Sequence, residues 1–407
     1  MPKLSQAHLL GNIEALAQIG AIEGGGCARL ALSDEDKAGR DLVTGWMEAL
    51  GLEVRIDAIG NVIGLRAGRE NIAPVMTGSH IDTVRTGGRY DGNYGVLAGL
   101  EVVRALNDAK MTTRRPIAVA FFTNEEGARF QPPMMGSAAF AGVRPLEWVL
   151  ARPDAAGCTV GEELKRIGYA GTAPVGGRKL DAYFELHIEQ GPILEAKGIR
   201  VGVVTGSYEV RGMNVVARGE TAHSGPTPMA QRRNALVGAS MLIVAVNEIG
   251  WAYAPEGKST SSRIEVWPNL VGILPDYAQV TVDVRHPEAT QGERMLADVR
   301  RAMRECADRA QVEMEELESW QFGSERFDPE LVGLVRSTAE RLGVPSLDLP
   351  SQAGHDAYYV SRVAPTAMIF TPCERGISHN EAENILPEEA VPGVNVLLHS
   401  VLARANR

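Results

Sequence analysis

The sequence predicts an α/β fold: a mixed, mostly parallel sheet covered by helices on both faces, interrupted by an inserted α+β unit of ferredoxin-like pattern. Three observations carry this. The run Ile117-Ala118-Val119-Ala120-Phe121-Phe122 has the continuous apolar character of a strand buried on both faces. Helical apolar patterns alternate with runs of that kind. Between about residues 207 and 320 the pattern changes to alternating strands and charged helices. The expected division is therefore residues 1–206, an insertion at 207–320, and a return to the first domain at 321–407.

In chain order, Leu9, Leu10, Ile13, Leu16 and Ile19 define an N-terminal amphipathic helix. Residues 34–51 form a second, ended by Gly51. Residues 52–56 and 61–66 read as short strands around the turn Ile59-Gly60-Asn61. An apolar lead-in, Pro74-Val75-Met76, then enters TGSHIDTVRTGGRYDGNYGVLAGL, a strand, a glycine-rich loop and the start of a buried helix that continues over 95–106. The apolar strand to Phe122 ends in Thr123-Asn124-Glu125-Glu126-Gly127, and a strand over 182–186 ends in His187-Ile188-Glu189-Gln190-Gly191. From 201 to 218 the pattern alternates like antiparallel strands, running into the insertion, where His223–Pro228 is a rigid loop and 234–249 is helical. Strands follow at 263–266 and 279–284, then a charged helix over 291–310. After it come a helix at 328–342, a buried strand at 364–370, the loop TPCERGISHN and a closing amphipathic helix at 391–405.

The net charge of −10 and a pI near 5.4 oppose binding to nucleic acid, whose phosphates need compensating cations. Cys27, Cys158, Cys306 and Cys373 are scattered without a CxxC pair, so neither a disulfide framework nor a thiolate zinc site is expected. The N-terminal stretch lacks signal-peptide character, and no uninterrupted apolar run approaches the ~20 residues of a membrane span. The expectation is a cytoplasmic protein without a membrane partner.

Four strand ends carry possible metal ligands: His80, Asp82 and Asp91; Glu125 and Glu126; His187 and Glu189; His379 and Glu381. In open α/β sheets, ligands gather at the carboxyl ends of the strands. Imidazole and carboxylate without thiolate suit Zn²⁺, Mn²⁺, Co²⁺ or Ni²⁺. There are enough ligands for two divalent ions with a bridging carboxylate, an arrangement that activates water. Adjacent glutamates allow one to ligate while the other acts as general base.

In this order the residues resemble the dinuclear metal aminoacylase/carboxypeptidase superfamily. The segments GSHIDTVRTGGRYDG, TNEEGARF, ELHIEQGP, GETAHSGPTPM, DVRHPE, AGHDA and ISHNEAE are similar to its hydantoinase/carbamoylase branch, which includes N-carbamoyl-L-amino acid hydrolases, β-ureidopropionase and allantoate amidohydrolase. The step of 11 residues from His80 to Asp91, and the histidine of ELHIEQGP, separate this branch from the dizinc peptidases. The resemblance implies one metal held by His80, Asp91 and His187, and a second held by Asp91, Glu126 and His379. It makes Glu125 the general base and Asp82 the carboxylate that orients His80. Gln190, Gly354 and His355 would line the substrate pocket, with Arg285 on the substrate carboxylate. The inserted domain would mediate a homodimer, with His223 stabilising the oxyanion from the neighbouring subunit. Gly87, Gly88 and Gly92 would let His80 and Asp91 converge.

The implied reaction is metal-dependent hydrolysis of a linear amide or ureido C–N bond in a small carboxylated N-carbamoyl or N-acyl substrate, first of all an N-carbamoyl-L-amino acid. One departure bears on specificity. Gly272 stands thirteen positions before Arg285, where carbamoylases carry an asparagine, and Asn269 lies three residues earlier. Asn269 is thus a candidate substrate contact. Gly272 keeps allantoate or ureidoglycine-type hydrolysis and N-acyl-amino-acid hydrolysis open as alternatives. A non-catalytic binding relative would have lost ligands or Glu125, and all are present.

Overall fold

The structure is a computed structural model and describes residues 2–407. It divides into two compact units: one runs to Thr205 and resumes at Arg326, and the other spans Gly206–Glu325.

The first unit opens with helices Gln6–Ala17 (α1) and Asp34–Ala49 (α2), capped by Ser5 and Ser33, whose hydroxyls accept the main-chain N–H groups of His8 and Asp36. Gly51 follows α2 with φ of +79°, the left-handed turn that ends many helices. Strands Glu53–Ile56 (β1) and Val62–Arg66 (β2) pair antiparallel. Val75–His80 (β3) leads through the ligand-bearing loop into Asn93–Asp108 (α3), followed by Ile117–Phe122 (β4). Three short helices, Met135–Phe140 (α4), Leu146–Leu150 (α5) and Val160–Ile167 (α6), precede Ala182–Ile188 (β5), Ile193–Lys197 (α7) and Val201–Ser207 (β6).

The second unit runs Glu209–Arg218 (β7), Ala235–Ala252 (α8), Lys258–Trp267 (β8), Tyr277–His286 (β9), Ala289–Ala310 (α9) and Glu313–Gly323 (β10). The first unit then resumes with Pro329–Arg341 (α10), Ser346–Ser351 (β11), Asp356–Val360 (α11), Thr366–Thr371 (β12) and Pro387–Ala405 (α12).

The first unit's sheet has the order β1-β2-β4-β3-β5-β12-β6-β11. Its centre is parallel: β3 pairs with β4 and β5, and β5 with β12. β2 and β6 run antiparallel to their neighbours β4 and β12. Every residue of β3, β4, β5 and β12 is buried; β4 is accordingly an unbroken apolar run, and the other three are apolar with a few buried polar residues.

The second unit is a βαββαβ block whose sheet has the order β10-β7-β9-β8, antiparallel throughout. Burial alternates residue by residue along β9, so one face of the sheet is covered by α8 and α9 through Val280, Val282, Leu242, Val246, Met295 and Val299. Two corrections concern its limits. The sequence pattern does not announce β10, and an end at residue 320 falls inside it, whereas the unit runs to Glu325. The acidic residues of β10 disguise its alternation, and a bulge between Glu316 and Glu318 shifts its phase. α8 is long and apolar enough, by length and composition alone, to cross a membrane. Ala235, Gly238, Ala239, Leu242 and Val246 on it are nonetheless buried within this unit.

Candidate metal centre

The parallel arrangement of β4, β3, β5 and β12 brings their carboxyl ends to one edge of the sheet, and every expected ligand comes from there. His80 is the last residue of β3, and His187 lies in β5 one residue before its end. Glu125 and Glu126 sit in the turn after β4, and His379 in the loop after β12. The ligand atoms of His80, Asp91 and His187 lie within 4.8 Å of one another, as do those of Asp91, Glu126 and His379. Asp91 is common to both groups. Its Oδ1 is 3.1 Å from His187 Nε2 and 3.5 Å from His80 Nε2, and its Oδ2 is 3.4 Å from His379 Nε2. Glu126 Oε2 completes the second group at 3.2 Å from His379 Nε2.

The hydrogen bonds around the imidazoles decide what such a group can hold. His80 Nδ1 lies 2.9 Å from the Asp82 carbonyl oxygen and His187 Nδ1 2.9 Å from that of Ile188. A carbonyl only accepts, so each Nδ1 carries the proton, and in the neutral ring Nε2 presents a lone pair. Two lone pairs thus face one carboxylate oxygen in a buried site; His187 Nε2 also accepts the Gly92 N–H at 3.2 Å, and a cation would satisfy what remains. Without a cation, the carboxylates draw protons onto these rings: against the downward push of burial, Glu125 and Asp91 raise the pKa of His80, and Asp91 that of His187. Asp91 and Glu126 push the pKa of His379 up to about 11. Against the upward push of burial, His187, His379 and His80 hold Asp91 well below the usual carboxylate range. The donor set, imidazole nitrogen with carboxylate oxygen, fits a divalent transition metal or zinc.

Glu125 stands beside the first group without belonging to it. It is 6% exposed, its Oε2 is 3.5 Å from His80 Nε2, and burial raises its carboxyl well above the ordinary range. Asp82 departs from the role expected of it. Its main-chain oxygen, not its carboxylate, holds His80. The carboxylate accepts the main-chain N–H groups of Glu125 and Glu126 at 3.2 and 3.3 Å, and burial pushes its pKa up to about 6. Asp82 therefore orients the two glutamates rather than the histidine. Gly92, with φ of +66°, lies against the His80 ring, where any Cβ would overlap it. Glu189 and Glu381 serve elsewhere: Glu189 caps α7 through the N–H groups of Ile193 and Leu194, and Glu381 packs on Gly24 and Gly26.

The model of peptidase family M20/M25/M40 matches residues 76–403. The N-carbamoyl-L-amino-acid amidohydrolase of Rhizobium meliloti is 42% identical over 99% of this chain and 97% of its own length. A hydantoinase/carbamoylase family amidase from Burkholderia vietnamiensis, solved by crystallography, superposes with a TM-score of 0.95 at 48% identity, covering 100% of this chain and 98% of that one. The chain belongs to the M20/M25/M40 family, in its hydantoinase/carbamoylase branch. A more distant relative, the ureidoglycolate hydrolase of Oryza sativa, is 31% identical over 91% of this chain and 78% of its own length.

In this M20 chain, two residues expected to meet substrate border the centre. Gln190, held at φ of +58°, donates Nε2 to Asp91 Oδ2 at 2.8 Å, and its Oε1 is buried without a partner. Reversing the amide would set oxygen against oxygen, so Oε1 is fixed as an unused acceptor. His355 is buried edge-on to the His187 ring at 4.4 Å between centroids, with Nε2 unpartnered. Burial holds its pKa well below the ordinary histidine value, so it is neutral. Gly354 lies in the turn before α11.

His223, Asn269 and Arg285 belong to the second unit. His223 is exposed, and its Nδ1 accepts the Gly225 N–H at 3.0 Å, which leaves the proton of the neutral ring on Nε2 as a donor. Its loop is tied to that of Gly272 by Ser224 N–H to the Gly272 carbonyl at 2.9 Å. Asn269 is exposed with φ of +50°. Arg285, on β9, gives Nε to Asp283 Oδ1 at 2.8 Å, so it is already engaged by a carboxylate of its own strand.

Sequence reasoning missed Glu383, Ser378, Glu185 and Asp356. Glu383 and Ser378 brace Asp91. Glu185 is fully buried, accepts the Ser79 hydroxyl at 2.7 Å and the Ala357 N–H at 2.9 Å, and lies near His187 and His355. Asp356, also fully buried, has two oxygens without a hydrogen-bond partner. All four lie in the segments ISHNEAE, ELHIEQGP and AGHDA, beside residues singled out from the sequence.

Proposed function

We propose that the protein hydrolyses N-carbamoyl-L-amino acids to amino acid, CO₂ and NH₃, using two divalent ions that share Asp91. The observation that carries this reading is the shared carboxylate: each of its oxygens faces a different ligand group, and a buried glutamate stands beside the centre outside both. His80, Asp91 and His187 would hold one ion, and Asp91, Glu126 and His379 the other; Zn²⁺, Mn²⁺, Co²⁺ and Ni²⁺ all suit the donors. When bound, the ions supply an acidified water and polarise the scissile carbonyl.

The residues do the rest. Glu125 takes the water's proton as oxygen adds to the carbamoyl carbon, then delivers it to the leaving nitrogen as the C–N bond breaks. The unused Gln190 Oε1 suits a ureido or amide N–H, and the neutral His355 a polar group of the same substrate. Arg285 would take the substrate carboxylate, exchanging Asp283 for it, and Asn269 would make a further polar contact. His223 Nε2–H would meet the developing oxyanion from the second subunit of a homodimer. Support for the dimer is the apolar stripe Val237, Val244 and Trp251 on α8, exposed by 42, 58 and 76%. With four free cysteines, the protein suits a reducing cytoplasm.

The test is ammonia release from a panel of N-carbamoyl and N-acyl amino acids, allantoate and ureidoglycolate with the Zn²⁺, Mn²⁺ and Co²⁺ forms. N-carbamoyl-L-amino acids should be turned over fastest. A metal-loaded protein that releases ammonia from none of the panel would sink the reading.

A further inference from the structure

Asp91 serves both ligand groups, yet the chain from Ile81 to Gly92 contains neither helix nor strand to fix it. What holds it is Glu383, from the far end of the chain. Glu383 is 1% exposed. Its Oε1 accepts the main-chain N–H groups of Tyr90 at 2.9 Å and of Asp91 at 3.0 Å. Its Oε2 lies 2.9 Å from Ser378 Oγ, and that hydroxyl is 2.9 Å from Asp91 Oδ2. Glu383 therefore holds Asp91 directly at its main chain, while its other oxygen shares the Ser378 hydroxyl with the Asp91 side chain, which Gln190 holds as well.

The fit between these parts is close. Gly88 lies against the Glu383 carboxyl so tightly that a Cβ there would overlap it. Because the two Asp91 oxygens are committed to different histidines, a rotation of its carboxylate would spoil both groups at once. Residues behind a metal ligand orient it, and losing them weakens metal binding about 10–100-fold. We infer that Glu383 is the positioning residue for the shared Asp91 ligand, so that its removal weakens both halves of the metal centre together. This rests on the two-ion reading above and adds to it a residue that touches neither ion nor substrate.

A residue that merely pinned the segment 378–384 would alter stability and leave the affinity of the folded protein for metal unchanged. The experiment measures that affinity. Metal-free wild type, Glu383→Ala and Glu383→Gln are titrated with Zn²⁺ against a competing chelator, with bound metal counted and folding checked by circular dichroism. Wild type should take up two ions. Glu383→Ala should bind both about 10–100-fold more weakly, whereas Glu383→Gln, which keeps an oxygen for the Tyr90 and Asp91 N–H groups and can donate its amide to Ser378 Oγ, should stay near the wild-type affinity. At saturating metal, KM should stay at the wild-type value. A folded Glu383→Ala that binds both ions as tightly as wild type would overturn the inference; should it not fold, Glu383→Asp, whose shorter side chain cannot keep its reach to the Tyr90 and Asp91 N–H groups and to Ser378, decides in its place by the same loss of affinity. Wild type that binds no metal would instead bring down the two-ion reading, and this inference with it.

Discussion

The Asp82 carboxylate accepts the main-chain N–H of Glu125 at 3.2 Å, across 43 residues of chain. A side chain just past the end of β3 thereby sets the turn that follows β4, and with it both Glu126, the proposed metal ligand, and Glu125, the proposed general base. Asp82→Ala leaves the N–H groups of Glu125 and Glu126 unsatisfied in a buried site and frees the turn. We expect kcat to fall about 10–100-fold, with weaker metal binding and a smaller change in KM. Asp82→Asn keeps one acceptor oxygen and should lie between. Steady-state kinetics with metal analysis would check this, and an Asp82→Ala enzyme with wild-type kcat would refute it.

Glu125 lies outside both ligand groups, and the role proposed for it is proton transfer and not holding metal. Glu125→Gln should keep the full metal complement while kcat drops by about 10²–10⁴-fold. Chelation should do the converse. Removing metal from wild type leaves Asp91, Glu126 and their neighbours as crowded acceptors, and the melting temperature should fall. Re-addition at about 100 times Kd should return roughly 2.7 kcal/mol per site. Calorimetry with and without chelator reads this directly; an unchanged Tm would count against a resident metal.

Arg29 is fully buried, and its side chain bonds to neutral acceptors rather than to a carboxylate. It donates Nε to the Ile81 carbonyl at 2.8 Å, Nη1 to the carbonyls of Leu16 and Ile19, and Nη2 to Asn93 Oδ1. It ties the end of α1 to the segment between His80 and Asp82. Arg29→Met would leave the buried Ile81 carbonyl without its donor and take one of two donors from the Leu16 and Ile19 carbonyls, costing about 1–3 kcal/mol. Urea unfolding followed by circular dichroism should show that loss, together with weaker metal binding because the His80 loop loses its anchor.

How far the sequence can be read follows from where each partner lies. β3, β4, β5 and β12 are legible because burial on both faces makes them short, largely apolar runs. His80, Asp91, Glu126, His187 and His379 are legible because each follows or ends such a run. β10 is not, because its acidic residues face outward and its bulge breaks the alternation. Glu383 is hidden for a different reason. A carboxylate among Asn380, Glu381 and Asn384 reads as surface, and the N–H groups it accepts lie almost 300 residues earlier. Asp82 is easily misread because the histidine two residues away is visible in sequence, whereas the turn after β4 is not.

Val237, Val244 and Trp251 stand seven residues apart on α8, so they share one face. β8 is an edge strand of the same sheet, with Ile264 and Trp267 exposed by 42 and 68%. An apolar stripe beside an open edge is suited to a two-fold contact with a second copy. Val244→Glu with Trp251→Glu should convert a dimer to monomers in light scattering while the fold persists. If His223 acts across that contact, activity should fall with the dimer. A wild-type protein that is monomeric at micromolar concentration would contradict both statements.

Variants at Arg285 and Gly272 test the proposed substrate contacts apart from the metal chemistry. Arg285→Ala removes a guanidinium held by Asp283 and touches no metal ligand, so metal content should be unchanged. KM for carboxylated substrates should rise about tenfold or more, as expected on losing a charge-assisted bidentate contact. An unaltered KM would show that the carboxylate binds elsewhere. Gly272 has φ of +88°, and no atom lies within 4 Å of where a Cβ would stand, so a side chain meets open space there. Asparagine is among the residues that tolerate a left-handed backbone, so Gly272→Asn should fold. If the missing amide is what broadens specificity, this variant should gain kcat/KM for N-carbamoyl over N-acyl amino acids. Equal ratios in the two proteins would mean that the glycine leaves substrate choice untouched.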